Sequence, residues 1–450
     1  MTSAIRLPES ESHLEAAKRK INREPGRVLD QLRAFRDWCD AQGLTPLAGA
    51  GFPLRPLYIS RHHLHGLAES LFQIAAALRD EILRNVRDDP APHPFLTDPL
   101  DFTRADLDSA LRDASALRIL RPDGFLFPDR FALTELNPAN GGLLSLTYTE
   151  TVLSYLHRFS TLSSLDTLSP LSALIALLRS VAGVESPRCA LLSPTFDLGS
   201  VADWTQAVRD QVGFAPRLLR EHGIAPVIVD ETQLALQNGR ATTEDGAAVD
   251  VIFNTTTGLG FFECPEPFNG SLAQWRGPKL GCTPIVEPLA VLALDKGALP
   301  TLTVTCGHHW STSVEGFHVE IPDIGYPDEL SMRALRTEKD KWVMKRSFRD
   351  KDTVTGISRG ERQWDKLVRH AAEQGREYVF QRYVSMPVAE IPIAVDDSHI
   401  EWIEARVEIS PFIIDGKYSG AMFRYAPDEE GIVMSPPPAG MGFGAVSAVD

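Results

Sequence analysis

The sequence of 450 residues has few cysteines, and no two of them have the paired spacing of a zinc knuckle. Five cysteines are also too few for a disulfide scaffold in a chain of this length. We therefore expect a reduced, cytoplasmic protein. The cysteines are Cys39, Cys189, Cys264, Cys282 and Cys306.

Long apolar runs and long basic runs are missing as well. No apolar run approaches the ~18 residues of a membrane span, and the segment Met1 to Lys20 carries three glutamates where a signal peptide needs an apolar core. Lys and Arg number 45 against 60 Asp and Glu, a net charge of −15, without a basic stripe that could hold a phosphate backbone. We expect neither a membrane nor a nucleic-acid partner.

The composition, 43% apolar and 23% charged, is typical of globular proteins of two or three domains. Apolar residues recur every three or four positions over 61–88, which predicts an amphipathic helix in a mostly helical N-terminal region. Short strands with turns follow over 117–146. Further on, helices alternate with apolar strands such as Cys189 to Leu192 and Pro226 to Val229, which predicts an α/β class with parallel strands.

The C-terminal part predicts a strand at Lys341 to Lys345, a charged loop, a helix at 363–374 and a strand at Tyr378 to Gln381. This order suits a lid over a nucleotide. A helix is also predicted near 202–211 and another over Pro288 to Leu299. The glycines between Gly440 and Gly444 lack the strand and helix of a dinucleotide fingerprint and predict a turn.

An acidic pattern carries the first chemical signal. Asp123 precedes a turn, and Glu135 and Asn137 lie two residues apart on the following strand, so their side chains point to the same face. Two carboxylates and an amide oxygen suit Mg²⁺, which takes substrate phosphates in its remaining positions. The alternative is a solvated strand face.

Two lysines and a glutamine carry the second signal. Lys296 follows an apolar segment and Lys345 ends an apolar strand, where a lysine can reach a nucleotide phosphate. Gln381 ends another strand and can face adenine. The alternative for each is an ordinary surface residue.

Taken in order, these motifs resemble the circularly permuted ATP-grasp ligases of the glutathionylspermidine synthase-like branch. Arg121, Asp123, Glu135 and Asn137 match that family's R-x-D and E-x-N strand pair, and the two lysines and Gln381 resemble its nucleotide-binding motifs. The segment 410–424 resembles its final sheet. The likeness covers about residues 115 to 445.

The resemblance implies four regions: a helical N-terminal region (1–112), a metal-binding strand segment of the ATP-grasp core (113–155), an α/β domain (156–285), and a nucleotide-binding lid and core sheet (286–450). It implies an ATP-dependent carboxylate-amine ligase that forms an amide through an acyl phosphate and needs ATP and Mg²⁺. Its partners would be a small carboxylate and a small amine.

The implied roles follow residue by residue. Asp123, Glu135 and Asn137 would hold Mg²⁺, Lys296 and Lys345 would bind ATP phosphates, and Gln381 would recognise adenine. Arg121 would neutralise the reacting carboxylate, and Arg424 could face phosphate. We expect the acids to be exposed.

The chain departs from the family after Lys345, where a glycine-rich loop is expected but 346–353 contains no glycine. Arg349 and Lys351 would replace its backbone contacts by charge. Two alternatives stay open: a catalytically degenerate ATP-grasp protein that acts as a nucleotide-binding or protein-interaction module, and a kinase-like phosphotransferase.

Overall fold

The structure is a computed structural model that describes most of the chain. The described residues are 5–44, 52–88, 104–112, 117–137, 142–162, 166–192, 214–229, 233–254, 278–288, 294, 296–305, 310–314, 317–347, 353–429, 431–434 and 441–450. They form a mixed α/β fold with several sheets, as predicted.

The helices lie mainly in the first 182 residues. They are α1 (Glu11–Arg23), α2 (Pro25–Ala41), α3 (Arg61–Asp88), α4 (Arg104–Leu111), α5 (Gly142–Ser154), α6 (Pro170–Ala182), α7 (214–221), α8 (Leu299–Thr305), α9 (Met332–Thr337) and α10 (Glu361–Gln374). The predicted bounds of α3 are confirmed, because its apolar stripe repeats at the helical period over the whole segment. No helix of the described residues is long and apolar enough to cross a membrane.

The strands build four sheets. They are β1 (Leu57–Ser60), β2 (Ile119–Leu120), β3 (Asp123–Leu126), β4 (Arg130–Glu135), β5 (Arg188–Leu192), β6 (Ala225–Val229), β7 (Ala235–Gln237), β8 (Arg240–Thr242), β9 (Val251–Asn254), β10 (Lys279–Leu280), β11 (Thr283–Val286), β12 (Trp310–Val314), β13 (Phe317–Ile321), β14 (Ile324–Gly325), β15 (Trp342–Arg346), β16 (Val354–Thr355), β17 (Tyr378–Arg382), β18 (Val388–Ala394), β19 (Ile400–Ile414), β20 (Lys417–Pro427) and β21 (Gly442–Val449).

The largest sheet has ten strands and carries the main hydrophobic core. Its order is β1-β21-β20-β19-β3-β4-β13-β12, with β2 and β18 also paired to β19. The apolar face of α3 packs on this sheet through buried leucines such as Leu67, Leu71 and Leu78. Strands from both ends of the chain therefore share one core.

A five-stranded sheet confirms the predicted α/β layer. Its order is β10-β11-β9-β5-β6, and the four strands from β11 to β6 run parallel. The predicted strands Cys189 to Leu192 and Pro226 to Val229 are its β5 and β6. The helix expected near 202–211 lies outside the described residues.

The C-terminal strands at 342–346 and 378–382 also form as predicted, in the order β14-β17-β15-β16, and α10 packs its Trp364 and Val368 against them. A two-stranded hairpin, β7 and β8, completes the sheets. We refer to the sheet of β14 to β17 as the lid sheet.

Two local predictions are wrong, and a third lies largely outside the described residues. Leu146 lies in α5 rather than in a strand, because β4 ends at Glu135 and α5 begins at Gly142. Of the helix expected over Pro288 to Leu299, positions 289–293 and 295 lie outside the described residues, Lys296–Ala298 form a 3-10 turn, and α8 begins at Leu299. The glycines Gly442 and Gly444 belong to β21, where Gly444 fits closely because a Cβ would lie 2.2 Å from the Phe423 ring.

The four predicted regions and the circular permutation stay predictions. The first region does contribute β1, which pairs in parallel with β21 near the end of the chain. The ten-stranded sheet thus combines strands from the first, second and fourth regions.

Candidate active site

The hairpin of β3 and β4 brings the predicted acidic residues together. Asp123 pairs directly with Glu135, and the Nδ2 of Asn137 donates a hydrogen bond of 2.9 Å to Asp123 Oδ2. Gly124, next to a register shift, permits this close pairing, because a Cβ there would lie 2.4 Å from the Ala132 carbonyl oxygen. The three side chains therefore lie at one end of the hairpin.

Asp123 is buried, which corrects the expectation of an exposed acid. Arg424 Nη2 and Arg121 Nη2 donate to its Oδ2 at 2.8 and 3.2 Å, and its side chain is 2% exposed. The other oxygen, Oδ1, is buried and has no hydrogen-bond partner among the residues that the structure describes. An unsatisfied carboxylate oxygen of this kind is a ready acceptor for a cation or a donor.

Glu135 is held by Lys296. The Lys296 Nζ lies 2.9 Å from Glu135 Oε1, and the lysine side chain is 2% exposed. Burial by itself would raise the pKa of Glu135, but the charges of Lys296 and Lys345 outweigh it and lower that pKa to about 2. Glu135 is therefore a carboxylate at neutral pH.

The second lysine joins the lid sheet to the same hairpin. Lys345 Nζ donates to the Thr134 carbonyl oxygen at 2.7 Å and to Gln381 Oε1 at 2.8 Å, while Gln381 Nε2 donates to the Leu133 carbonyl oxygen at 3.2 Å. Burial lowers the pKa of Lys345 to about 8. Lys345 and Gln381 thus lie against β4, the strand that carries Glu135.

Glu408 is a site residue that sequence reasoning missed. It lies directly opposite Arg424 in the β19–β20 pair, with Arg424 Nη2 2.5 Å from its Oε2 at an angle outside hydrogen-bond geometry. Burial raises the pKa of Glu408 to about 7, against the opposing charge of Arg424. Its signal was the alternation of polar and apolar residues from Glu404 to Ser410, which marks one polar strand face.

Ser145 was missed too. It lies in the first turn of α5 and accepts a hydrogen bond from Arg121 Nη1. The sequence gives no signal for this contact, because Arg121 and Ser145 are 24 residues apart and only the fold brings them together. Arg349 and Lys351 lie outside the described residues.

These residues form one group, which we call the charged cluster: Arg121, Asp123, Glu135, Asn137, Lys296, Lys345, Gln381, Glu408 and Arg424. Its four cations outnumber its three carboxylates. Mutual burial makes these charges interact strongly, so the excess positive charge favours an anionic ligand such as a polyphosphate. Glu408 and Asp123, with Glu135, raise the pKa of Arg424 against the effect of burial, so this guanidinium stays charged.

The donor set fits Mg²⁺ only as a shared site. Among the described residues no group of three His, Cys, Asp or Glu side chains is arranged to hold a metal ion alone. Asp123 Oδ1 is nevertheless an unsatisfied acceptor beside Glu135 and Asn137. Mg²⁺ commonly takes one or two carboxylates and completes its shell with phosphates and water, so an ion that enters together with phosphates fits this cluster.

Comparisons with known proteins give no match to a family model and no match among curated protein sequences. Two of the solved structures that this chain matches are the following. A glutathione synthetase-like effector from Globodera pallida has 12% identity over 94% of this chain and 97% of its own, with a TM-score of 0.49. D-alanyl-alanine synthetase A from Vibrio cholerae has 8% identity over 58% of this chain and 89% of its own, with a TM-score of 0.28.

Proposed function

We propose that this protein is an ATP-dependent ligase that joins a carboxylate to an amine through an acyl phosphate. The observation that supports this most directly is the charged cluster, in which cations from three elements meet at the β3–β4 hairpin. Arg424 of β20 contacts Asp123, Lys296 of the 3-10 turn contacts Glu135, and Lys345 of the lid sheet contacts the carbonyl oxygen of Thr134. Cations positioned in advance stabilise the charge that spreads over a transferring phosphoryl group.

Lys296 and Lys345 are the proposed phosphate-binding residues. Both are buried, and both contact β4 from outside the β3–β4 hairpin. Polyphosphate would lie where the 3-10 turn and the lid sheet meet that strand, and Gln381 holds Lys345 in place through its Oε1. Adenine recognition by the backbone beside Gln381 is part of the same proposal.

Arg121 and Arg424 are the proposed clamp for the substrate carboxylate. Their guanidinium groups share Asp123 Oδ2 and so lie side by side. The clamp would hold the carboxylate while one of its oxygens attacks the γ-phosphorus and ADP leaves. The amine nitrogen then attacks the acyl carbon, phosphate departs, and the proton from nitrogen passes to solvent.

Asp123, Glu135 and Asn137 would hold Mg²⁺, which when bound neutralises charge on the phosphate oxygens. Arg121, Lys296 and Arg424 already contact these two carboxylates. These cations therefore hold the acids in place before nucleotide binds.

A second candidate is a degenerate ATP-grasp protein that binds nucleotide without turnover. It is favoured by the ion pairs of Asp123 and Glu135, which already compensate both proposed metal-binding carboxylates. It is favoured further by the glycine-free sequence of 346–353.

The test is mass spectrometry of the purified protein with ATP, Mg²⁺ and a mixed library of carboxylic acids and amines. We expect ADP together with a new amide mass. Glu135→Gln should remove both signals, whereas Glu373→Gln, a matched change at an exposed position of α10, should leave them intact.

Other outcomes identify other functions. Bound ATP without ADP across the library would overturn the ligase in favour of the binding module. A phosphorylated acid or alcohol that persists in the presence of amines would indicate a phosphotransferase.

A further inference from the structure

Two aromatic rings stack beside the proposed carboxylate clamp. Tyr148 of α5 and Phe443 of β21 have ring centroids 5.2 Å apart and an angle of 15° between their planes. Both side chains are half-buried, in contrast to the fully buried core of the neighbouring strands. The phosphate-binding chemistry proposed above makes no use of them.

Phe443 is linked to the clamp through the sheet. It lies directly opposite Arg424 in the β20–β21 pair, and Arg424 lies directly opposite Glu408 in the next pair. Directly opposed residues of antiparallel strands point to the same face with Cβ atoms about 5 Å apart. The Phe443 ring is therefore an immediate neighbour of the Arg424 side chain.

Tyr148 is linked to the clamp through α5. Arg121 donates to Ser145 Oγ, and Tyr148 follows Ser145 by three positions, so the two side chains lie on the same face of the helix. A closed ring of neighbours results: Asp123, Arg121, Ser145, Tyr148, Phe443 and Arg424. Cationic and aromatic groups thus lie next to one another.

Both guanidinium groups in this ring have unused donors. The Nε atoms of Arg121 and Arg424 are buried and have no hydrogen-bond partner among the residues that the structure describes. Unsatisfied buried donors are costly, and here they lie beside an unsatisfied carboxylate oxygen, Asp123 Oδ1. Two cations with spare hydrogen-bonding capacity next to a flat apolar pair match a ligand that has a carboxylate at one end and a ring at the other.

We infer that the Tyr148–Phe443 pair is the side-chain subsite for the acid substrate, and that this substrate is a carboxylic acid with an aromatic or similarly planar apolar group near its carboxylate. The inference rests on the proposed function in taking Arg121 and Arg424 as the carboxylate clamp. Planar groups gain from offset stacking on such rings in addition to the burial of apolar area. A small or purely aliphatic acid would leave the aromatic pair uncovered.

The test compares 3-phenylpropionate with propionate, two acids that differ by one ring. Saturation-transfer NMR on the full chain measures binding of each acid without any need for turnover. In parallel, ATP, Mg²⁺ and hydroxylamine are added: attack of the hydroxylamine nitrogen on the acyl phosphate releases phosphate and a proton and leaves a hydroxamate, which is counted with ADP.

We expect 3-phenylpropionate to bind at least tenfold more tightly than propionate. Phe443→Leu and Tyr148→Leu keep apolar volume but remove one ring each, and each should reduce that preference about three- to tenfold. Trp38→Leu is the matched control, because it removes a half-buried ring from another stacked pair, Phe35 and Trp38, in the N-terminal helices. It should leave the preference unchanged.

The outcomes separate the two proposals. Equal binding of the two acids, or a preference that survives both leucine variants, overturns the aromatic subsite even if hydroxamate forms. A ring-dependent preference with no ADP and no hydroxamate supports the subsite but overturns the ligase.

Discussion

Two buried groups of ion-paired residues in this protein differ in their balance of charge. Arg55 and Glu9 form a one-to-one pair, with both guanidinium Nη atoms on the carboxylate at 2.6 and 2.9 Å and side chains 1% and 5% exposed. The charged cluster instead holds four cations and three carboxylates.

The difference extends to the remaining hydrogen bonds. Arg55 also donates to the Pro56 and Glu390 carbonyl oxygens, and Glu9 accepts from the Tyr58 amide. Both groups leave guanidinium Nε atoms without partners among the described residues, Arg55 Nε in the first and Arg121 Nε and Arg424 Nε in the second. The two groups differ in their acceptors, because both Glu9 oxygens accept from Arg55 whereas Asp123 Oδ1 of the charged cluster has no partner among the described residues. A balanced pair fastens the N-terminal segment to the sheet, whereas the unbalanced cluster keeps capacity for a ligand.

Breaking the balanced pair should have the largest effect on stability. Glu9→Gln leaves the Arg55 charge buried without a counter-charge, so we expect a loss of about 3–5 kcal/mol in the free energy of unfolding. Urea denaturation measures it. Glu404→Gln is the control, because Glu404 pairs with Arg6 on the surface at 3.5 Å, and it should cost about 1 kcal/mol or less.

The double variant Glu9→Gln with Arg55→Met should recover much of the loss, since both charges are then gone. If the free energy of unfolding of Glu9→Gln lies within about 1 kcal/mol of the wild-type value, the Arg55–Glu9 pair does not anchor the N-terminal segment. The contrast between this pair and the charged cluster would then be wrong.

The sequence predicts contacts between residues that are close along the chain better than contacts between distant ones. The helix Arg61–Asp88 and the pairing of Asp123 with Glu135 follow from local periodicity and a short turn, and both were predicted. Contacts between Asp123 and Arg424 join strands 301 residues apart. No local pattern encodes such a contact, and only the family resemblance placed these residues at one site.

Other features of the structure could not be predicted from the sequence for a similar reason. The glycines at 442 and 444 are predicted as a turn because their strand character comes from pairing with β20 and not from side chains of their own. The burial of Asp123 depends on two arginines that cover it, Arg121 from the segment between β2 and β3 and Arg424 from β20. Arg55 and Glu9 carry no sequence signal beyond opposite charge.

The next largest effect should appear in the charged cluster, as a loss of nucleotide binding without a loss of stability. Lys345→Met leaves three cations and three carboxylates in the charged cluster, so the cluster then has as many positive as negative groups, like the Arg55–Glu9 pair. We expect about 10²- to 10³-fold lower kcat/KM for ATP, the usual effect of removing one preorganised electrostatic contact. The free energy of unfolding at pH 7 should not fall, because a buried lysine with a lowered pKa destabilises the fold while it is charged.

Steady-state kinetics and isothermal titration calorimetry with ATP, together with urea denaturation of the same preparation, check this prediction. ATP affinity equal to that of the wild type removes Lys345 from the site. A loss of stability in Lys345→Met as large as that in Glu9→Gln would show that the charged cluster stabilises the fold in the same way as the Arg55–Glu9 pair.

The smallest expected effect is a pH dependence of stability that belongs to Lys345. Its pKa is about 8 in the folded protein against an ordinary value of 10.5, so the unfolded chain binds more protons between these values. The free energy of unfolding should therefore rise as pH increases from about 8 to 10.5, by up to about 3 kcal/mol. Lys345→Met should lose this rise, whereas Lys366→Met, at an exposed position of α10, should keep it. Denaturation curves at several pH values measure how the free energy of unfolding changes with pH. Parallel slopes for the wild type and Lys345→Met would mean that the charge on Lys345 does not destabilise the folded protein. The charged cluster could then not be treated as an unbalanced group that is ready to bind a ligand.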